Sequence, residues 1–141
     1  MSYCTLSNIL NSISEEQLAK LTNDVDDTVD VNVINEKIAA ADSEIDSYLR
    51  KHYSVPLATA PDIIRDASVV ISLFKTYSRR PNIGMPDTVK DNYEKVIAWL
   101  KLVAKKEVML PIEPQPTSTT SEPIIVKTPE RQFTRDSLKK F

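Results

Sequence analysis

The sequence predicts an all-α fold: a small helical bundle of three main helices plus short N-terminal helices, with an extended proline-rich C-terminal arm. Three observations predict it. Apolar residues recur at steps of three and four through residues 33–50, 62–77 and 86–106, the period of helices that bury one face. The 141 residues include one glycine, Gly84, too few for a turn-rich sandwich or a phosphate-cradling loop. Five of the nine prolines fall in residues 107–130, where no helical period survives. The chain therefore divides into a helical body (1–106), a Pro/Thr/Ser-rich linker arm (107–130) and a C-terminal docking segment (131–141).

A body of this size buries one modest core. The net charge of −2 gives no global pull toward nucleic acid. One cysteine, Cys4, excludes an internal disulfide and a thiolate metal cluster. No apolar run approaches the ~20 residues of a membrane span, and MSYCTLSN lacks the basic and apolar regions of a signal peptide.

In residues 1–21, Thr5 can cap a turn over Leu6 to Asn11. Ser14-Glu15-Glu16-Gln17 matches a capping box, with Leu18 and Leu21 as apolar anchors. Both pieces are too short to stand alone and must dock on the body. Residues 22–32, TNDVDDTVDVN, hold four aspartates but not the calcium pattern of an EF-hand. Counting from Asp24, Val29 stands where glycine is needed and Asn35 where glutamate is needed. The stretch reads as an acidic turn ending in a helix cap, Asp30 or Asn32.

Residues 33–50 carry the stripe Ile34, Ile38, Ala41, Ile45, Tyr48 and Leu49. Asp42, Glu44 and Asp46 read as a solvated polar side, because no histidine or third partner joins them for acid–base or metal work. Residues 51–61, KHYSVPLATAP, form a connecting loop. His52, the only histidine, lies beside Lys51 and Arg50 at a helix end, where cations are favoured. It lacks the partner a catalytic histidine needs, so a helix-end or packing role is expected.

The helix over Asp62 to Tyr77 is apolar nearly all round, which marks it as the buried centre of the bundle. Pro61 suits its start, and Ser78, Arg79, Arg80 and Pro81 close it. Arg79 and Arg80 also offer a basic spot to an acidic partner or DNA. The last body helix, 86–106, carries Val89, Tyr93, Val96, Ile97, Leu100 and Val103 on its stripe, and Lys105 and Lys106 end it. Trp99 lies off that stripe, either as an interface residue or closing one edge of the core.

Within the arm, Ile124, Ile125 and Val126 form a strand-like run suited to the edge of another chain's sheet. In RQFTRDSLKKF, Thr134 can cap a short helix, and Phe133, Leu138 and Phe141 share a side. From Lys127 onward the charge is +3, which leaves the rest of the chain at −5. An aromatic-tipped basic segment on a long arm reads as a docking peptide for an acidic or apolar groove.

Several stretches together resemble one family: SYCTLSNIL, QLAKLTND with its aspartate-rich turn, IAAADSEIDSYLRKHYSVPL, RDASVVISLFKTYSRRP and FTRDSLKKF. The chain resembles the Mu-like phage head–tail connector, or adaptor, proteins. The most specific parts are A-D-x-x-I-D-x-Y-L at Ala41 to Leu49, Y-x-x-P-L at Tyr53 to Leu57, and the terminal FTRDSLKKF. Relatives commonly carry glycines in the aspartate-rich turn and end in lysine-glycine-phenylalanine. This chain has neither feature.

The resemblance implies a structural virion protein without catalytic residues, metal or cofactor, assembled in the host cytoplasm and located in the head–tail connector. Such adaptors form a ring of neighbouring copies, commonly twelve, beneath the portal. The ring extends the channel through which genomic DNA passes without sequence-specific binding, and it offers neck and tail-completion proteins a place to attach. The C-terminal arm then reaches the portal protein. Phe133, Leu138 and Phe141 fill pockets, and Arg131, Arg135, Lys139 and Lys140 supply the charge that meets acidic groups. No membrane partner is expected. The competing expectations are a helical DNA-binding or regulatory phage protein using Arg79, Arg80 or the tail, and an enzyme or metal protein built on His52 or the aspartate loop.

Overall fold

A computed structural model describes residues 1–116. Five helices follow in order, with no strand among the described residues: α1 (Leu6–Leu10), α2 (Glu15–Thr22), α3 (Val31–Leu49), α4 (Asp62–Ser78) and α5 (Asp87–Ala104). This is the all-α bundle of three long helices preceded by two short ones that the periodicity predicts.

The helix starts follow local chemistry. Asn8 Oδ1 accepts from the amide and the hydroxyl of Thr5 at 2.9 and 2.8 Å. Ser14 Oγ accepts from the Gln17 amide at 3.4 Å. The reciprocal capping box thus forms at α1, between Thr5 and Asn8, while at α2 the serine half of the pattern is present. Of the two candidate caps before α3, the structure selects Asp30, whose carboxylate accepts from the amides of Asn32 and Val33 at 2.9 and 3.3 Å. The helix thus begins at Val31, three residues before Ile34, the first residue of the apolar stripe.

The core has two lobes that share α3 and α4. In one, the C-terminal half of α3 (Ala41, Ile45, Leu49) meets Ile64, Ala67 and Ile71 of α4 and Leu100 and Val103 of α5. In the other, Ile34 and Ile38 meet Val69 and Tyr77 and are roofed by Ile9, Leu18 and Leu21 of the short helices. Each fully buried aliphatic side chain contributes roughly 1.5–3 kcal/mol, which is how α1 and α2, marginal alone, are held.

The prediction that α4 is apolar and buried nearly all round needs correction. Ile63 is 45% exposed, while Ser68, Ser72 and Thr76 are buried. Those three recur at steps of four and form a hydroxyl stripe. Ser72 Oγ donates to the Ser68 carbonyl at 2.6 Å, and Thr76 Oγ1 to the Ser72 carbonyl at 2.8 Å. By bonding back into their own helix, the Ser72 and Thr76 hydroxyls are satisfied without water, so a small polar side chain can line a close contact.

At the end of α5 the Lys106 amide donates to the Val103 carbonyl and the Glu107 amide to the Leu102 carbonyl, both at 3.0 Å. This is a Schellman ending, and Lys106 takes its left-handed position with φ 62°. The proline-rich stretch that follows starts against the body. Leu110 is buried, Val108 and Ile112 pack beside it, and the Leu110 amide donates to Tyr53 Oη at 3.0 Å. The Gln115 amide donates to the His52 carbonyl at 2.9 Å.

Two stability measurements check this account. Leu110→Ala should cost about 2–4 kcal/mol in denaturant unfolding, the range for a buried leucine, whereas a residue of an undocked linker costs almost nothing. Lys106→Gly should raise stability by up to ~1 kcal/mol. Glycine occupies the left-handed region freely, and its extra entropy in the unfolded chain cancels part of that gain.

Candidate functional site

The carboxylates of α3 do not form the solvated face that their spacing suggests. Asp42 is 9% exposed. Its Oδ2 accepts from the Tyr3 amide at 3.0 Å and its Oδ1 from the Ser68 hydroxyl at 2.7 Å. Asp46 accepts from the Tyr3 phenol, whose oxygen in turn accepts the Leu57 amide at 2.9 Å. Glu44 takes the Tyr93 hydroxyl at 2.9 Å and pairs with Lys75 at 2.7 Å. The rings of Phe74 and Tyr93 stack alongside at 3.9 Å. The physical reason is that these carboxylates flank the α3 stripe closely enough for the N-terminal segment, α4 and α5 to reach them.

Behind Asp42 lies Cys4, buried, with its sulfur 3.2 Å from Ser68 Oγ and 3.9 Å from Ser72 Oγ. Ser68 has one hydroxyl hydrogen, and the shorter, charged bond to Asp42 takes it. The thiol is then the donor to Ser68, giving a directed run of hydrogen bonds from Cys4 through Ser68 to Asp42.

Burial pushes the Cys4 thiol up. A raised thiol is a poor nucleophile. Burial also holds the Asp42 carboxyl above the usual carboxylate range, opposed by Ser68 and the Tyr3 amide. The phenol of Tyr3 is raised by burial and by its bond to Asp46. Tyr93 is pushed up to about 12, by burial first and then by Glu44. The arrangement is a structural clasp.

His52 serves a helix end, as its position suggests, but the end belongs to α5. Its Nε2 lies 2.9 Å from the Ala104 carbonyl and, facing an acceptor, carries the proton. Arg79 and Arg80 are also engaged within the chain. Arg79 donates to the Leu21 and Thr22 carbonyls, each at 3.1 Å, and so closes α2. Arg80 pairs with Asp24 of the aspartate-rich loop. That loop is ordered by Asn23, whose Oδ1 accepts from the amides of Val25 and Asp26 at 3.1 and 3.4 Å. It is an acidic turn that ends in the Asp30 cap.

Trp99 is half-buried against the edge of the first core lobe. It also lines an open groove of about 240 Å³ between α4 and α5 with Ile63, Ala67, Val70 and Val96, and Asp66 and Lys95 stand at its rim. The expectation that Trp99 closes one edge of the core is met, and its outer face lines the groove. The groove lies toward the start of α4, beyond the stacked pair Phe74 and Tyr93, where Ile63 is exposed. The other docking candidates, Ile124, Ile125, Val126, Arg131, Phe133, Thr134, Arg135, Leu138, Lys139, Lys140 and Phe141, lie outside the described residues.

The Asp42 clasp can be tested by pH. Its folded value lies above its unfolded one, so the unfolded chain holds the proton less tightly. Stability therefore rises as pH falls through the folded value toward the unfolded one. On going from neutral pH to about pH 4, the parent protein should gain stability relative to Asp42→Asn, read as a converging or reversing difference between two denaturation curves. Tyr3→Phe should cost about 1–3 kcal/mol, since it strands the Leu57 amide and Asp46.

No curated protein matches the sequence. The family model described as bacteriophage Mu, Gp36 matches residues 3–127. The matched range takes in the helical body from Tyr3 and nearly all of the linker arm, and it ends before the terminal FTRDSLKKF segment. With nearly all of the chain aligned to one family, the protein belongs to the bacteriophage Mu Gp36 family.

Proposed function

We propose that the protein is a structural virion component, a head–tail adaptor that forms a ring under the portal of a tailed phage and links the head to neck and tail proteins. The observation that carries this reading is the match to a phage Mu family over residues 3–127. The all-helical body and the basic, aromatic-tipped C-terminus on a proline-rich arm agree with it. In this reading the protein performs no catalysis and holds no cofactor. It is assembled in the host cytoplasm and resides in the connector of the virion.

The mechanism is assembly by multivalency. One arm binds the portal weakly through Phe133, Leu138 and Phe141. A ring of copies, twelve by the resemblance, multiplies the effective concentration at every site. A body without net positive charge, −2 over residues 1–106, suits a channel through which DNA slides, because basic walls bind phosphates. The alternative of a DNA-binding regulator loses its main residues, since Arg79 closes α2 and Arg80 pairs with Asp24.

Co-sedimentation with the matching portal ring tests the proposal, comparing the full chain with a version ending at Glu122. The expected result is that only the full chain sediments, in a fixed ratio to portal. Equal sedimentation of both moves the anchor into the body. Binding by neither, together with salt-sensitive binding to duplex DNA, replaces the adaptor reading with the regulator.

A further inference from the structure

We propose that the groove between α4 and α5 is the docking site for this chain's own residues 131–141 in the free protein. The groove is apolar and open, with one acid and one base at its rim. Ile63 is 45% exposed at its mouth, although it belongs to the most apolar helix of the chain.

The occupant follows from where the arm leaves the body and what it carries. Gln115 is tied to the His52 carbonyl, and the His52 ring is tied to the Ala104 carbonyl, so the described chain departs beside the end of α5. Trp99 is five residues earlier on that helix, about 7–8 Å along its axis. Fourteen residues, 117–130, separate the departure point from the docking segment and reach about 40 Å when extended at ~3 Å each. The distance to the groove is well within that span.

The segment matches the groove in chemistry. Phe133, Leu138 and Phe141 are spaced to share one side, as an amphipathic helix laid into an apolar groove requires. The chain from Lys127 carries +3 against −2 over residues 1–106, and Asp66 stands exposed at the groove's rim. Tethering places the segment at an effective concentration of mM order, so a weak contact is well populated. The same three side chains are those proposed to meet the portal, so the groove holds them until a competing surface appears.

The sole tryptophan reports on the groove directly. The full chain is compared with the full-length variant Phe133→Ser, Leu138→Ser, Phe141→Ser, with matched far-UV circular dichroism and no portal present. The expected result is that the variant's Trp99 emission moves to the red and its acrylamide quenching increases, by an amount independent of protein concentration. A synthetic peptide of residues 127–141 then returns the variant's emission toward the blue, and fails to do so when Ile63→Asp is added. Identical emission and quenching in the two full-length proteins overturn the proposal. So does a difference that vanishes on dilution, which assigns the groove to a neighbouring copy's segment. Because no portal is used, either failure leaves the adaptor reading standing, and a failed portal co-sedimentation leaves this one.

Discussion

Asp42 is a carboxylate set into the contact between α3 and α4, the most extensive helix pair in the bundle. A charge there needs donors, and two are supplied, the Tyr3 amide and the Ser68 hydroxyl. Meeting that need shapes much of the molecule. The N-terminal segment must cross α3 to bring Tyr3 to it. Once there, the phenol binds Asp46 and takes the Leu57 amide, which pins the loop between α3 and α4. Cys4 follows Tyr3 into the interior and closes the run through Ser68. An all-apolar contact tolerates neighbouring registers, whereas the bond from Ser68 to Asp42 exists in one. The clasp therefore serves register more than net stability, since burying a charge consumes much of what its bonds return.

The elements of the fold are legible in the sequence because apolar period and capping residues act locally. The stripe of α3, the start of α4 after Pro61 and the short helix from Ser14 all read directly. What is not legible is the set of side chains whose role depends on a partner far along the chain. Tyr3 meets Asp42 across 39 positions, and His52 meets Ala104 across 52. One signal was nevertheless present. Asp42 sits four after Ile38 and three before Ile45, which places it on the buried stripe rather than behind it. Ser68 stands in the same relation to Ile64 and Ile71. A polar residue at a stripe position on each of two neighbouring helices is the pattern that a buried pair leaves in a sequence.

The candidate site was legible only in part, for the same reason. Arg79 and Arg80 look like a free basic spot in one dimension. In three dimensions α2 ends beside them, and its last carbonyls and the aspartate-rich loop absorb both charges. Lys75 is likewise taken by Glu44. Trp99 reads as ambiguous because its ring lies across the boundary between core and surface. The groove itself requires Ile63 to turn outward from a helix that is otherwise buried, and the periodicity of α4 counts Ile63 as interior.

The position of Leu110 changes how the arm works. Composition alone starts the tether at Glu107, giving 24 residues before the segment that begins at Arg131. The core holds Leu110, and Gln115 is bonded to His52, so the described chain is fixed almost to Pro116 and 14 residues remain. For a flexible tether longer than the gap it spans, effective concentration falls as roughly the −3/2 power of length, so this shortening raises it about twofold. The same anchoring fixes where the tether is rooted, beside the end of α5 and close to Trp99. A short tether with a fixed root favours nearby surfaces, and the groove proposed to take the segment includes Trp99, five residues before the Ala104 carbonyl that His52 meets. In the proposed docking, the residues that seat the arm's root thereby bias which surface its far end meets first.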